Sequence, residues 1–268
     1  MLQISPGMRR HKIKLLLAVA IAVVLAFGLA PPLAQPVGYH AFADRRSFLG
    51  TPCFLDIVSN LPFLAVGLAG LHWLRGAYPR APGLIERAEF WPYAVFFLGV
   101  ALVGIGSSYY HWAPDNARLA WDRLPMTVAF TGLTAAMIAE RVSVALGVKL
   151  LPLFVAAGIG SVVYWRLSAL AGAEDLSPYL AVQGGAILAV LLLLALFPPR
   201  YTHGSWIAGV LGAYALAKLF EAADAGIYAL GELVSGHTLK HLAAGFAAWL
   251  VLAMLQRRRP WVSQGIRA

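Results

Sequence analysis

Apolar residues occur along this chain in long runs that short polar breaks separate. Each run approaches the roughly 20 residues that an α-helix needs to cross a bilayer, so the pattern predicts transmembrane helices. Eight such runs lie at about residues 13–30, 54–74, 90–111, 124–139, 148–169, 178–198, 205–228 and 238–256. Neither a soluble domain nor a sequence repeat is visible between them. We therefore predict an all-α membrane protein, in which a seven-helix bundle is preceded by one extra N-terminal transmembrane helix.

The composition supports this membrane assignment and excludes one class of binding partner. Of the 268 residues, 60% are hydrophobic and 12% are charged, and the mean hydropathy is +0.73. Soluble chains carry about 25% charged residues. The net charge of +9 is not gathered on one polar domain, so we exclude a nucleic-acid partner. The basic residues fall in short loops between apolar runs, where they set the orientation of membrane helices.

The first apolar run admits two interpretations. It fits either a retained helix or a cleaved signal peptide, because a basic start, RRHKIK, is followed by an apolar centre and then by small residues. The apolar stretch is long for a signal peptide, and Pro31 and Pro32 make a poor cleavage context, which favours a retained helix. We accordingly divide the chain into an N-terminal segment with the extra helix (1–53), a seven-helix domain (54–256) and a basic tail (257–268).

The charges between the runs predict how the helices thread the membrane. If RRHKIK lies in the cytoplasm, each later loop on that side is basic, as cytoplasmic loops usually are. The basic loops contain Arg75, Arg80 and Arg87, then Arg141 and Lys149, then Arg200, and finally Arg257 to Arg259. The opposite loops contain Asp44, Asp115, Glu174, Asp175 and Glu232. Both termini are therefore expected in the cytoplasm, with His111, Asp122 and His237 at the outer face.

Three histidines toward that outer face form a candidate metal site. His237 and His241 are four residues apart, which places both imidazoles on one side of a helix. His111 closes another span, where a polar residue is costly without a partner. Zinc enzymes commonly use three protein ligands and leave the fourth position to water. The pattern predicts zinc bound by these histidines; interfacial histidines that hydrogen-bond to neighbours are the alternative.

Two residues near His111 are candidates for the chemistry. Ser107 lies one helical turn before it and could donate a hydrogen bond to a developing oxyanion. Packing in a small-residue stretch is the alternative role of this serine. Asp122 opens the next span and could act as the general base on a zinc-activated water. Its alternative role is to cap the helix ahead of Pro125.

Other polar residues lie inside apolar runs. Lys218, Glu221 and Asp224 follow each other at three-residue spacing, which puts them on one stripe of the seventh span. They form either an intramembrane ion-pair network or a set of side chains that orients the zinc ligands. Asn60, in FLDIVSNLPF, either hydrogen-bonds between helices or contacts His111.

Together these residues resemble the alkaline ceramidase family. That family is part of a wider superfamily of seven-span hydrolases and receptors that includes the adiponectin receptors. The resemblance covers about residues 54–256, and its segments are SNLPF (59–63), GSSYYH (106–111), WDRLPM (121–126) and GHTLKHL (236–242). The Ser-xxx-His, Asp and His-xxx-His skeleton is shared across the superfamily, whereas DRLPM and GHTLKHL are typical of the ceramidase branch.

The resemblance implies a zinc amidase that cleaves ceramide, or a related N-acyl lipid, into a fatty acid and a sphingoid base or amine. In it, His111, His237 and His241 would hold zinc, Asp122 would orient or deprotonate the water, and Ser107 would stabilise the oxyanion. Animal members also bind calcium through an acidic N-terminal segment. The corresponding stretch here, DRRSFLGTPCF, is basic and has a cysteine near the expected carboxylate, so we do not expect a calcium site.

Two other classes of function are compatible with the sequence. A receptor-like protein with a structural zinc would use four protein ligands, whereas three clustered histidines leave one position open. A transporter with a proton relay would show broken helices in repeated halves, and no repeat is visible. The sequence leaves open which N-acyl lipid is cleaved, its chain length and the oligomeric state.

Overall fold

The structure, a computed structural model, describes residues 5–77 and 84–261, and 75% of these residues are helical. The described residues form ten α-helices and one 3₁₀ turn at Arg87–Glu89. The helices are α1 (Pro6–Leu29), α2 (Phe54–Val58), α3 (Leu61–Ala77), α4 (Phe90–Trp112), α5 (Asn116–Arg141), α6 (Val144–Leu170), α7 (Ser177–Leu196), α8 (Trp206–Ala222), α9 (Asp224–Tyr228) and α10 (Gly236–Arg257). No strand occurs in the described ranges, which contain two isolated β-bridges. Arg80 and the end of the predicted tail, 262–268, lie outside the described residues.

The predicted all-α membrane bundle is confirmed. Within the described residues, six helical segments are long and apolar enough to cross a membrane. They are Pro6–Leu29, Phe54–Gly76, Arg87–Trp112, Val144–Leu170, Ser177–Leu196 and Gly236–Arg257. Of the other two predicted spans, α5 has 26 residues and is more polar, and α8 has 17 residues. The count of eight spans therefore stays a prediction.

Helix α5 can carry polar residues because it lies inside the bundle, where it packs against α4, α6 and α7. Its buried threonine hydroxyls donate to carbonyl groups of the same helix, so they are satisfied in an apolar interior. Gly99 of α4 lets the two helices approach closely, since an added Cβ would lie 2.5 Å from the backbone nitrogen of Ala129. The run predicted at 124–139 is thus part of a longer helix, whose buried residues extend from Leu119 to Arg141.

The second predicted span is broken near its start. It divides between α2 and α3 at Ser59 and Asn60. The Asn60 Nδ2 group donates to the carbonyl oxygen of Asp56 over 2.7 Å and so covers a backbone group at the break. Pro62 follows in the first turn of α3, and it lacks the N–H group that a continuous helix would need.

The seventh predicted span is also broken. Lys218 and Glu221 lie on α8, whereas α9 begins at Asp224, so the prediction of a single stripe is wrong for Asp224. The physical reason is that the Asp224 carboxylate accepts hydrogen bonds from two backbone amides outside its helix, those of Ala43 and His237.

The extra N-terminal helix, α1, lies on the periphery of the bundle. None of its residues is buried, and its main neighbour is α7. The Lys12 Nζ and Arg9 Nη2 groups each donate over 2.5 Å to a carbonyl oxygen near the ends of α7 and α5. The segment that follows, residues 30–53, turns back over one end of the bundle and packs against it.

The other end of the bundle is closed by a buried charge cluster around Arg258. This guanidinium is fully buried; it donates to Glu140 Oε2 over 2.8 Å and to the Tyr93 hydroxyl over 3.0 Å. The guanidinium also lies 4.0 Å from the ring centroid of Tyr201. The predicted basic tail, 257–268, therefore includes a residue whose charge is paired inside the protein, because a buried carboxylate compensates it.

Candidate metal centre

His111, His237 and His241 converge in the interior of the bundle. Helix α4 supplies His111 at its C-terminal end, and α10 supplies the other two in its first two turns. Their exposed fractions are 1%, 6% and 4%, respectively. One ring nitrogen from each lies within 4.8 Å of the others, so the cluster could hold one metal ion.

The separations between these rings suit a tetrahedral metal site. Two nitrogens bound to zinc at about 2.0–2.1 Å lie roughly 3.3 Å apart. In the structure, Nε2 of His111 and Nε2 of His237 are 3.2 Å apart. The ring centroid of His241 lies 5.0 Å from that of His111 and 4.8 Å from that of His237. A metal ion fits after small ring movements, and three imidazoles leave a fourth position open.

Ser59 determines which nitrogen of His241 carries the proton. Its hydroxyl lies 2.9 Å from Nδ1 of His241 and donates over 3.1 Å to the carbonyl oxygen of Asp56. Because serine has a single O–H group, the hydroxyl must then accept from an N–H at Nδ1. The Nε2 atom of His241 is left with its lone pair for a metal ion, the arrangement usual in metal-bound histidines.

Asp56 supports the cluster from α2. Its Oδ1 atom accepts from the Thr238 hydroxyl over 2.7 Å, and its Oδ2 atom faces Nδ1 of His111 at 4.0 Å. These two facing atoms have no hydrogen-bond partner in the described structure. A small ring movement toward Asp56 would produce the carboxylate–histidine contact that orients ligands in zinc proteins.

Asp224 holds the start of α10 through the backbone. Its Oδ1 atom accepts from the His237 amide over 2.7 Å, and its Oδ2 atom accepts from the Ala43 amide over 3.0 Å. A carboxylate at a helix N-terminus is also stabilised by the helix dipole. Asp224 therefore positions one candidate metal ligand, as one of the two sequence interpretations predicts.

In the described part of the chain, no hydrogen bond or ion pair joins Asn60, Lys218 or Glu221 to the histidines. Glu221 pairs with Lys218 on its own helix and with Lys240 of α10, whose Nζ atom lies 3.0 Å away. These residues form the ion-pair network that was the alternative interpretation. Neither alternative for Asn60 is found among the hydrogen bonds of the described residues, because its Nδ2 group donates to the Asp56 carbonyl of its own segment and its Oδ1 atom has no partner.

A segment between α1 and α2 covers the histidines. The ring centroid of Phe42 lies 4.6 Å from that of His111 and 4.4 Å from that of His237. His40 anchors the segment, because its ring nitrogens lie 2.8 and 2.9 Å from side-chain oxygens of α4 and α5. The cluster is thus closed on this side by residues 39–46, which we name the cap segment.

An ion pair fixes the end of the cap segment. Arg46 donates to both carboxylate oxygens of Asp44, over 2.9 and 2.8 Å, and to the carbonyl oxygen of Leu233 over 2.9 Å. The hydrogen bonds from Arg46 lower the pKa of Asp44, so this carboxylate stays ionised at neutral pH. The cap segment is therefore tied to the loop that leads into α10.

Ser107 and Asp122 face each other between α4 and α5, and their side chains interact. Gly106 permits this close approach, because an added Cβ would collide with the carbonyl oxygen of Trp121. The N-terminus of α5 is capped by Asp115, which excludes the alternative capping role of Asp122.

A cavity of about 190 Å³ lies inside the bundle and joins these side chains. Its polar end is lined by Ser107, Asp122, Lys240 and His241. Its other lining residues include Phe96, Leu133, Val190, Val210 and Ala247. Along α4 the lining runs from Ser107 to Phe96, about 16 Å of helix at ~1.5 Å per residue. Helices α7 and α8 border the cavity and share little direct packing.

Four contributors to the site escape sequence reasoning: Asp56, Ser59, Lys240 and Phe42. Asp56 and Ser59 are polar residues in an apolar run, but spacing alone does not show which of them faces the histidines. Lys240 carries a usable signal, since a lysine between two histidines of an apolar span needs a partner. Phe42 carries none, because an aromatic residue in a connecting segment is unremarkable.

Comparison with known proteins does not identify the family of this chain. No protein-family model matches it, and no curated protein matches it. The argument for function therefore rests on the site itself and on the sequence motifs.

Proposed function

We propose that this protein is a zinc-dependent membrane hydrolase that cleaves the amide bond of ceramide or a related N-acyl lipid. The observation that carries the proposal is a cluster of three buried histidines, one of which, His241, lines the polar end of a largely apolar cavity. A serine and an aspartate line the same end. The resemblance of the motifs to those of alkaline ceramidases supports the same activity.

The donor set fits zinc. Imidazole nitrogens are common zinc ligands, and among the described residues no fourth histidine, cysteine or carboxylate joins the cluster. Three protein ligands with an open position are typical of a catalytic zinc site. When bound, zinc would supply a Lewis acid that activates water and polarises the amide carbonyl.

Asp122 is the residue placed to move protons in this reaction. It lines the cavity together with the candidate ligand His241, as a general base beside the reacting water must. From this position it can accept a proton from the water and later pass it to the leaving nitrogen. Amide cleavage needs the second step, because the nitrogen leaves readily only after protonation.

Ser107 serves the same reaction through its single hydroxyl proton. Its hydroxyl interacts with the carboxylate of Asp122 before the reaction. Once Asp122 has taken a proton, its carboxyl group needs this donor less. The Ser107 hydroxyl can then donate to the amide oxygen, where negative charge develops.

The surroundings of the site support a lipid substrate. The cavity continues from the catalytic residues along apolar side chains, and its borders at α7 and α8 are loosely packed. Phe42 covers the histidines on the side of the cap segment. An acyl chain would therefore reach the site from the bilayer, and the predicted topology places the site toward the outer leaflet.

Zinc content and hydrolysis, measured on the same purified protein, test the proposal. We expect about one zinc per chain, since three imidazoles form one site. We also expect fatty acid release from at least one member of a panel of N-acyl lipids that includes ceramide, dihydroceramide and phytoceramide. The double variant His237→Ala/His241→Ala should lose both, whereas His72→Ala, at an exposed position of α3, should keep both.

Two results would contradict this proposal at different levels. Full zinc occupancy in the double variant would contradict the metal site. Full zinc in the unaltered protein without cleavage of any N-acyl lipid would contradict the hydrolase and favour a structural zinc in a receptor-like protein.

A further inference from the structure

Arg123 is a buried cation whose neighbours are aromatic rings. It follows Asp122 on α5, and its side chain is 3% exposed. Its guanidinium carbon lies 4.3 Å from the ring centroid of Trp165, 4.8 Å from that of Tyr179 and 5.3 Å from that of Tyr39. Cation–π contacts of this kind offset part of the cost of burying a positive charge.

The hydrogen-bonding capacity of Arg123 is mostly unused. Its Nη2 atom donates to the side-chain oxygen of Gln35 over 2.5 Å, whereas Nε and Nη1 have no partner. In the described ranges no carboxylate lies within salt-bridge distance of it. Of the two other buried arginines in the described ranges, Arg258 has Glu140 at 2.8 Å, and Arg141 donates to the backbone carbonyl oxygens of Phe197 and Gly204. An arginine with five N–H donors and no anionic partner is costly to bury.

Arg123 also lines the cavity that reaches the metal centre. The charged side chains around this cavity are Arg123, Lys218 and Lys240 on the basic side and Asp122 and Glu221 on the acidic side. Three cations against two carboxylates leave this end of the cavity one positive charge in excess, before any metal ion is counted. Such a site attracts an anionic group.

We propose that Arg123 recognises an anionic group, a carboxylate or a phosphate, that the substrate carries beside its amide bond. This inference rests on the proposed function and narrows its substrate class. Preferred substrates would be N-acyl amino acids, or N-acylated amines that bear a phosphate, over neutral ceramides. The planar guanidinium matches both oxyanions, because it can donate two parallel hydrogen bonds.

The neighbours of Arg123 show how an anion would reach it. The unpartnered nitrogens are enclosed, so a ligand must displace a side chain. Gln35 and Tyr39 belong to the non-helical segment 30–53, whereas Trp165 and Tyr179 belong to α6 and α7. The ligand would therefore displace Gln35 or Tyr39, and the helical aromatic rings would stay in place behind the guanidinium.

Matched substrate pairs test the proposal. N-oleoylglycine is compared with its neutral amide, N-oleoylglycinamide, and N-oleoyl-O-phosphoethanolamine is compared with N-oleoylethanolamine. For the unaltered protein we expect kcat/KM to be at least about tenfold higher for the charged member of one pair, since Arg–oxyanion hydrogen bonds are charge-assisted. The pair that shows the preference identifies the anion. In Arg123→Gln the ratio of charged to neutral kcat/KM should fall to near one.

Two results would overturn the proposal. The first is a ratio of charged to neutral kcat/KM near one for both substrate pairs in the unaltered protein. The second is an equal ratio in the unaltered protein and in Arg123→Gln. Should Arg123→Gln fail to fold, Arg123→Lys replaces it. A lysine keeps the charge and loses the planar pair of donors, so the ratio should drop several-fold, and an unchanged ratio contradicts the proposal.

A binding measurement separates this inference from the proposed function. The shift in melting temperature on adding N-oleoylglycine or N-oleoylglycinamide is recorded for the unaltered protein and for the Arg123 variant. If no N-acyl lipid is cleaved, the hydrolase proposal fails. The anion site then stands if only N-oleoylglycine stabilises the protein and does so only with Arg123 present, and it falls if both compounds act equally.

Discussion

At the scale of single residues, the site is organised by hydroxyl groups that each have one proton to give. The Ser59 hydroxyl donates its one hydrogen bond to the Asp56 carbonyl oxygen, so it must accept from the N–H of His241. Ser107 faces the carboxylate of Asp122, which it can serve as a donor. Replacing Ser59 should therefore affect the tautomer of His241, and replacing Ser107 the hydrogen bonding of Asp122. Both effects should exceed any change in the packing of the helices.

For Asp122 and Ser107 we expect losses of turnover in proteins that stay folded and zinc-loaded. Asp122→Asn keeps the shape and removes the base, which should lower kcat by on the order of 10²-fold or more. Ser107→Ala removes one donor to the developing charge and should lower kcat by about 10²–10³-fold. In both variants KM should change less than kcat, because the lost interactions belong to the transition state.

The control for these two variants is Ser108→Ala. The Ser108 hydroxyl donates over 2.7 Å to the Gly104 carbonyl oxygen within α4, so its loss should affect stability and leave turnover near the starting value. Zinc content, melting temperature and kcat are measured together. Stable, zinc-loaded Ser107→Ala and Asp122→Asn proteins with undiminished hydrolysis would contradict the assigned roles and leave the metal site intact.

For Ser59 we expect an effect on metal affinity. Ser59→Ala removes the acceptor that holds the N–H at Nδ1 of His241, so the ring can rotate or change tautomer. Loss of such an outer partner typically weakens metal binding by about 10–100-fold. Competition with a zinc chelator measures this, and Ser161→Ala, which removes a hydroxyl bonded only within α6, is the control. Equal zinc affinity in the two variants would show that Ser59 does not orient the ligand.

At the scale of elements, the breaks between helices decide which polar residues meet. The hydropathy of the chain predicts where the apolar runs lie. It does not detect a short turn inside such a run, because the residues on both sides of the turn are apolar. The break after α2 places Ser59 and not Asn60 against His241, and the break before α9 turns Asp224 toward α10. The histidine cluster survives these errors, because each histidine lies within an unbroken helix.

The cap segment should control how easily the metal leaves. Phe42 lies against two of the three candidate ligands and has little exposed surface. Phe42→Ala should therefore admit water and chelator and speed the loss of zinc to a large excess of chelator several-fold. Phe48→Ala is the control, because Phe48 follows the cap segment in the same connecting stretch, residues 30–53, and is 56% exposed. The same rate of zinc loss in both variants would mean that the cap segment does not close the site.

At the scale of the whole molecule, the sequence predicts the fold class well and predicts helix bounds and buried charge pairs less well. The apolar runs predict the membrane bundle because a bilayer requires long helices with satisfied backbone groups. Helix α5 exceeds its predicted run because it begins at Asn116, capped by Asp115, and its first turns are polar, so hydropathy does not mark them as part of a span. The pairing of Arg258 is missed for a related reason: basic residues near helix ends are read as markers of the cytoplasmic side, and only the fold shows that Glu140 lies beside it.

The orientation of the molecule can be decided by labelling single cysteines from one side of the membrane. Glu232 and Lys149 are both exposed and lie on opposite sides in the predicted topology. We introduce Glu232→Cys or Lys149→Cys separately into a Cys53→Ala background and treat intact cells with a membrane-impermeant maleimide. The cysteine at 232 should react in intact cells, because its loop precedes α10 on the outer side, and the cysteine at 149 should react only after permeabilisation. Permeabilised cells, in which both must react, are the control. The reverse pattern would place the histidine cluster at the cytoplasmic face, so that substrate would come from the inner leaflet while the metal site and its chemistry stayed as proposed.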